Sequence, residues 1–128
     1  MTTPTYISEQ IIDTFFTAGT VYVSEHIGAP GATGANEVAG GNDANYVRQA
    51  ATLAKSLDGT IYRARNNADV SFPAAAGGAS YTVTHLGIWD ASTAGNLLAV
   101  LTIPGSGLPV VAGTINTFAT NDIVIRGE

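Results

Sequence analysis

The segment from Gly28 to Gln49, GAPGATGANEVAGGNDANYVRQ, lies between two runs of strand-like composition and constrains the fold more than any other part of the chain. It is long, rich in glycine and almost uncharged. In a compact domain, connections longer than about 12–15 residues without secondary structure are uncommon, and they usually bind something or stay disordered. Tyr46-Val47-Arg48-Gln49-Ala50 returns to strand composition, so residues 28–45 read as an excursion from a folded body that docks on a neighbour. Within it, Ala29, Pro30, Ala32, Thr33, Asn36 and Glu37 form the candidate assembly interface. Glu37 and Arg48 flank the glycines, and an ion pair between them would fix the base of the loop.

The remainder punctuates itself into one helix and a series of short strands. Ile7, Ile11, Ile12, Phe15 and Phe16 recur at helical spacing, with Ser8, Glu9, Asp13 and Thr17 on the other side. The helix is expected over about residues 4–18, capped by Thr3, with Pro4 at its first position, Glu9 and Asp13 favoured by its dipole, and Gly19 as a left-handed stop. Strand-like runs follow at Thr20 to Ile27, Tyr46 to Leu53, Gly59 to Arg65, Ala68 to Phe72, Tyr81 to Trp89, Leu97 to Ile103 and Thr114 to Arg126. Gly, Asn, Asp and Pro lie between them, as tight turns require. This spacing predicts a mainly β fold: one domain over residues 1–128, an antiparallel β-sandwich or barrel with an N-terminal amphipathic helix. Tyr81 to Trp89 is apolar on both faces and reads as a central strand. Leu86, Ile88, Trp89, Leu97, Leu98 and Val100 are the expected core beside it.

Charge narrows the functional classes. Asp, Glu, Lys and Arg make up only 12% of the chain, where about a quarter is usual; a surface so short of ions suits packing against other subunits. The net charge is -5 and the basic residues are scattered, so the chain lacks the cationic stripe that a nucleic-acid partner demands. With no cysteine, there is no disulfide framework, thiol nucleophile or zinc knuckle. The N-terminal residues lack the pattern of a signal peptide, and no run is long enough to span a membrane. A soluble chain that stays in its compartment of synthesis is expected.

Candidates for chemistry are few. His26 and His85 lie in strand-like runs; the neighbours of His85 are Ser80, Thr84 and Asp90, none within a nucleophile elbow. Gly105-Ser106-Gly107 is too short to suggest one. Glu25, Glu37 and Asp43 with Asn42 and Asn45 supply oxygen, but at spacings that match no calcium loop; turn formation by the Asx side chains is the plainer reading. Asp90 to Asn96 reads as a hairpin connection in which Asp90 and Asn96 bond their own backbone. No catalytic, metal or cofactor site is expected.

The order of helix, strand ending at His26, loop with Gly34-Ala35-Asn36-Glu37-Val38-Ala39-Gly40-Gly41, and then Tyr46-Val47-Arg48-Gln49 resembles a family of small structural proteins of tailed bacteriophages. Ala68 to Ala75, Val83 to Ala91 and Gly95 to Ala99 extend the resemblance in order, over about residues 5–126. Members of that family are described as tail fibre, minor tail or other virion proteins and resemble capsid decoration proteins. The resemblance implies a non-enzymatic virion component assembled in the host cytoplasm. Its implied partners are the major capsid protein or tail proteins, together with further copies of itself, a trimer being the symmetry considered. Low charge and the docking loop favour a capsid decoration (cement) protein that bridges capsomers. A tail fibre, minor tail or adaptor component is the alternative, and a small hydrolase or carbohydrate-binding module a remoter one.

Overall fold

Ser8, Ile12 and Phe16 recur one helical turn apart and form the inward stripe of α1 (Thr5–Phe15), on which the N-terminal end of the fold is built. The computed structural model describes residues 2–128. The stripe is rotated from the expected one: Ile7 and Phe15 are 46% and 54% exposed, whereas Ser8 is fully buried. The Ser8 hydroxyl is the cause, because it accepts the Tyr62 amide at 2.7 Å and so satisfies a backbone donor of the sheet beneath. Both ends of the helix also differ from expectation. Pro4 itself is the N-cap, without a side-chain cap, and no acidic residue lies in the first turn. Glu9 and Asp13 reach Lys55 at 2.8 and 2.9 Å instead of serving the dipole. The helix closes at Phe16, and Gly19 is not left-handed.

After α1 the chain forms β1 (Val21–His26), the long loop, β2 (Gln49–Ala51), β3 (Leu53–Asp58), β4 (Ile61–Asn66), β5 (Val70–Ser71) and β6 (Ser80–Val83). Then follow β7 (His85–Trp89), β8 (Leu97–Thr102), β9 (Leu108–Val111), β10 (Thr117–Phe118) and β11 (Val124–Arg126). A four-stranded sheet runs in the order β2-β1-β7-β8, a three-stranded sheet in the order β11-β4-β3, and β10 pairs with β5 and β6 with β9. All pairings are antiparallel. The fold is mainly β and sandwich-like, with no closed barrel among the described residues. Val21, Val23, Leu86 and Ile88 of the larger sheet share one core with Leu53, Ala64 and Ile125 of the smaller, and Ile12 and Phe16 of α1 join it.

Four strand expectations change. The run Tyr46 to Leu53 holds only β2 and the first residue of β3, which lie in different sheets. The run Tyr81 to Trp89 divides at Thr84, whose amide donates to the His26 carbonyl and whose carbonyl accepts the Ile103 amide; its two halves belong to different sheets, and only β7 is central. Leu97, Leu98 and Val100 are half-buried or exposed, because β8 is an edge strand with a neighbour on one side. Thr114 to Arg126 yields only the short β10 and β11, interrupted where Asn121 takes φ 71°. Among the described residues, no helix is long and apolar enough to cross a membrane.

Candidate functional site: the anchored loop

Strand β1 ends in three consecutive polar residues, Ser24, Glu25 and His26, and all three are buried. Such burial costs several kcal/mol per group, about 2–7 for an unpaired hydroxyl or amide, unless every polar atom is partnered. Of their side chains, His26 reaches the loop directly, Ser24 links it to Trp89, and Glu25 bonds Asn116.

Ser24 stands opposite Gly87 in the ladder between β1 and β7. The Trp89 indole Nε1 donates to Ser24 Oγ at 2.7 Å, Ser24 Oγ lies 2.7 Å from His26 Nε2, and His26 Nδ1 lies 2.8 Å from the Ala35 carbonyl. The directions are forced. An indole only donates and a carbonyl only accepts, so the serine proton goes to Nε2 and the histidine carries its own proton on Nδ1. Burial, the leading cause, holds the imidazole below its ordinary pKa and keeps it neutral, as this relay requires. Gly87 makes the space: a Cβ there would lie 2.5 Å from Ser24 Oγ.

Above the relay, the loop lies on the Trp89 ring. Gly34 has φ +87° and an added Cβ would fall 2.3 Å from the indole, so only glycine lets the backbone approach this closely. The Pro30 carbonyl accepts the Gly34 and Ala35 amides at 2.9 and 2.7 Å and turns the chain toward the indole. The Ile27 amide donates to the Asn36 carbonyl and the Val38 amide to the Glu25 carbonyl, both at 2.9 Å.

The base of the loop is closed as the sequence suggests. Arg48 Nε and Nη2 reach Glu37 Oε2 and Oε1, both at 2.9 Å. Its Nη1 donates to the Ala91 and Ala94 carbonyls, and the guanidinium lies 3.8 Å from the centroid of the Trp89 ring. Burial alone would raise the Glu37 carboxyl, but hydrogen bonds from Arg48 and Tyr46 hold it below the ordinary value. The connection Asp90 to Asn96 also forms as expected, with the Asn96 amide 2.7 Å from Asp90 Oδ1.

The far end of the loop is pinned by Asp43. Its Oδ1 accepts the Asn45 and Ala76 amides and its Oδ2 the Tyr81 hydroxyl, at 2.9, 2.9 and 3.0 Å. Against burial, which raises it, these donors keep Asp43 below the ordinary carboxylate range. Glu25 behaves oppositely. Burial, only partly countered by Asn116 at 2.7 Å and reinforced by the Asp43 charge, pushes its carboxyl up to about 7.

The three carboxylates considered for a cation are thus each engaged by protein donors, and no trio of metal-ligating side chains gathers among the described residues. His85 bonds the Thr84 hydroxyl at 2.8 Å. Ser24 and His26 have the spacing of a nucleophile and its base, yet both are sealed at 0% exposure, with the serine oxygen already accepting the indole proton. Of the six interface candidates, Ala29, Ala32, Thr33 and Asn36 are exposed on the loop. Pro30 is buried and Glu37 is held by Arg48 and Tyr46, so these two serve the anchor. Sequence reasoning missed Ser24, Gly87, Trp89, Tyr46 and Asn116. The alternation Ser24-x-His26 and Gly87-x-Trp89 on neighbouring strands was the available signal.

An open polar groove of about 400 Å³ runs between Val38 to Gly40, Val47 and the turn Ser92 to Ala94. Its charged side chains, Arg48 and Glu37, are spent on each other.

A comparison with curated proteins finds no match. A family model described as "Podophage GP4 fiber I protein gp80" matches residues 3–126, which takes in the helix, all four sheets and the anchored loop. The chain therefore belongs to the podophage GP4 fiber I protein gp80 family, a family of phage structural proteins.

Proposed function

We propose that the protein is a non-enzymatic fibre component of the virion of a tailed phage, self-associating and docking on other virion proteins through the outer surface of residues 28–45. The observation that carries this reading is the match of nearly the whole chain to a fibre family. That description favours the fibre alternative over the capsid decoration role expected from composition. The loop supports the docking part. It is held from beneath by the relay, by the Arg48–Glu37 pair and by Asp43, while Ala29, Ala32, Thr33 and Asn36 stay exposed on top. A loop ordered in advance loses little conformational entropy on binding, and this raises affinity without extra contacts.

Two measurements test the reading. Quantitative mass spectrometry of purified virions, separated into heads and tails, should find the chain with the tails; recovery with tail-free heads, or absence from particles, overturns the fibre role. The double variant Ala32→Arg, Thr33→Arg should melt like the wild type but fall at least tenfold in virion occupancy. Wild-type occupancy would remove the loop from the docking surface.

A further inference from the structure

Strand β8 is the longest edge strand of the fold without a charge or a proline. It pairs only with β7. The Ile103 amide donates to the Thr84 carbonyl at 2.9 Å, and the register sets Leu101 against Leu86 and Ala99 against Ile88. In an antiparallel ladder the hydrogen-bonding direction alternates, so Ala99, Leu101 and Ile103 face β7 while the amides and carbonyls of Val100 and Thr102 point to the open side. The comparable edges are guarded: β3 carries Lys55 and Asp58, and β9 carries Pro109. Charge and proline are the usual means by which proteins blunt strand edges, and β8 has neither.

Two further observations bear on what covers this edge. From Ala91 to Asn121 the sequence has no Asp, Glu, Lys, Arg or His, although the chain as a whole carries a net charge of -5. Strand β8 lies inside that stretch, as do the exposed Val100, Val111 and Ile115. Beside the edge lies a mainly apolar groove of about 360 Å³, lined by Leu86, Leu101, Leu108, Phe118 and Ile123, with Asp122 as its one charged lining residue. A strand added to β8 would bring alternate side chains toward it, the division of labour found where a strand extends a sheet: backbone bonds bind and pockets select.

We infer that β8 is a self-pairing edge: two copies of the chain join their β8 strands antiparallel about a two-fold axis near Val100, merging two four-stranded sheets into one. The occupant is a second copy because a two-fold pairing about Val100 sets that residue against its own counterpart and its neighbours against other residues of the same charge-free segment, and like charges directly opposite destabilise such pairs. An acidic protein meets itself with least repulsion where those charges are missing, and Leu97–Thr102 is such a place. The apolar inner residues Ala99 and Leu101 of one copy then flank the groove of the other. A two-fold pair closes at two, so a trimer would need a different surface. This inference rests on the self-association proposed above and names its surface.

The test uses the intact purified protein in sedimentation velocity. Wild type should sediment as a dimer. Val100→Lys and Val100→Glu, each placing like charges across the axis, should weaken dimerisation at least tenfold while keeping the circular dichroism spectrum of the wild-type fold, and an equimolar mixture should restore the dimer. Should either variant misfold, Thr102→Pro, which removes the outward amide of the neighbouring exposed position and leaves the ladder to β7 intact, takes their place and should weaken dimerisation likewise. Variants that dimerise like the wild type, or mixtures that stay monomeric, overturn β8 pairing while self-association through another surface stands. A wild type that is monomeric at every attainable concentration overturns both, and the count in virions still reads the fibre role independently.

Discussion

Gly87→Ala should disable the anchor of the loop through one methyl group. The added Cβ would lie 2.5 Å from Ser24 Oγ, 2.9 Å from His26 Nε2 and 3.0 Å from Trp89 Nε1, so some part of the relay must move. Gly87 does not have a positive φ; alanine suits its backbone, and crowding is the whole effect. Overpacking of a filled interior costs about 1–3 kcal/mol. Displacing Ser24 leaves the indole donor and the imidazole acceptor unpaired, at about 1–3 kcal/mol each. Because these are consequences of one displacement, the expected loss is about 3–5 kcal/mol out of a total stability of about 5–15 kcal/mol. At about 3–5 °C per kcal/mol for a domain of this length, the melting temperature falls by about 10–25 °C. Thermal denaturation followed by circular dichroism measures this. Gly40→Ala is the control, since nothing lies within 4 Å of its added Cβ; it should change stability by less than about 0.5 kcal/mol. Hydrogen exchange at the Ile27 and Val38 amides, which tie the loop to its strand, should quicken in Gly87→Ala. A variant within about 1 kcal/mol of wild type, with those amides still protected, would refute the reasoning.

Two other outcomes follow from the charges under the loop. The Glu25 pKa is raised from 4.5 to about 7, so its contribution to stability is complete below pH 4.5 and is lost as the pH rises through 7. The loss is on the order of 3 kcal/mol, and Glu25→Gln should flatten denaturant-derived stability between pH 5 and 8; an unchanged slope would show that the carboxyl does not titrate there. Glu37, held below its ordinary value, acts in the opposite sense: its contribution is present above the ordinary carboxylate range and fades as the pH falls below it. Arg48→Lys forfeits the two-pronged contact with Glu37 and the reach to Ala91 and Ala94, a loss of about 2–4 kcal/mol. Limited proteolysis should then cut within residues 28–45, and persistent resistance would remove Arg48 from the anchor.

Much of the fold was legible because turn chemistry and strand composition are local properties. The division into one helix and many short antiparallel strands, the pairing of Glu37 with Arg48, and the self-bonded turn from Asp90 to Asn96 all depend on residues close in sequence. The errors arise where a distant partner decides. Ser8 reads as polar surface until Tyr62 is placed above it. Most of β3 lies between the expected runs ending at Leu53 and starting at Gly59; its Lys55 ammonium lies outside on Glu9 and Asp13, and Asp58-Gly59, with Gly59 at φ +65°, turns β3 into β4. Strand β9 (Leu108–Val111), absent from the expected runs, carries Pro109, which is tolerated there because β9 is an edge. At the loop, glycine content announced an unusual segment, but what orders it comes from residues far away in the chain: Trp89 beneath Gly34, and Tyr81 and Ala76 on Asp43.

The protein has a single tryptophan, and it lies where the loop meets the sheet, with Gly34 on its ring, a guanidinium beside it and its nitrogen on Ser24. Lifting the loop would bring solvent to that indole and to no other. Intrinsic fluorescence therefore reads one event in this molecule: a red-shifted emission reports departure of the loop, and an unchanged spectrum on assembly reports that partners bind it in place.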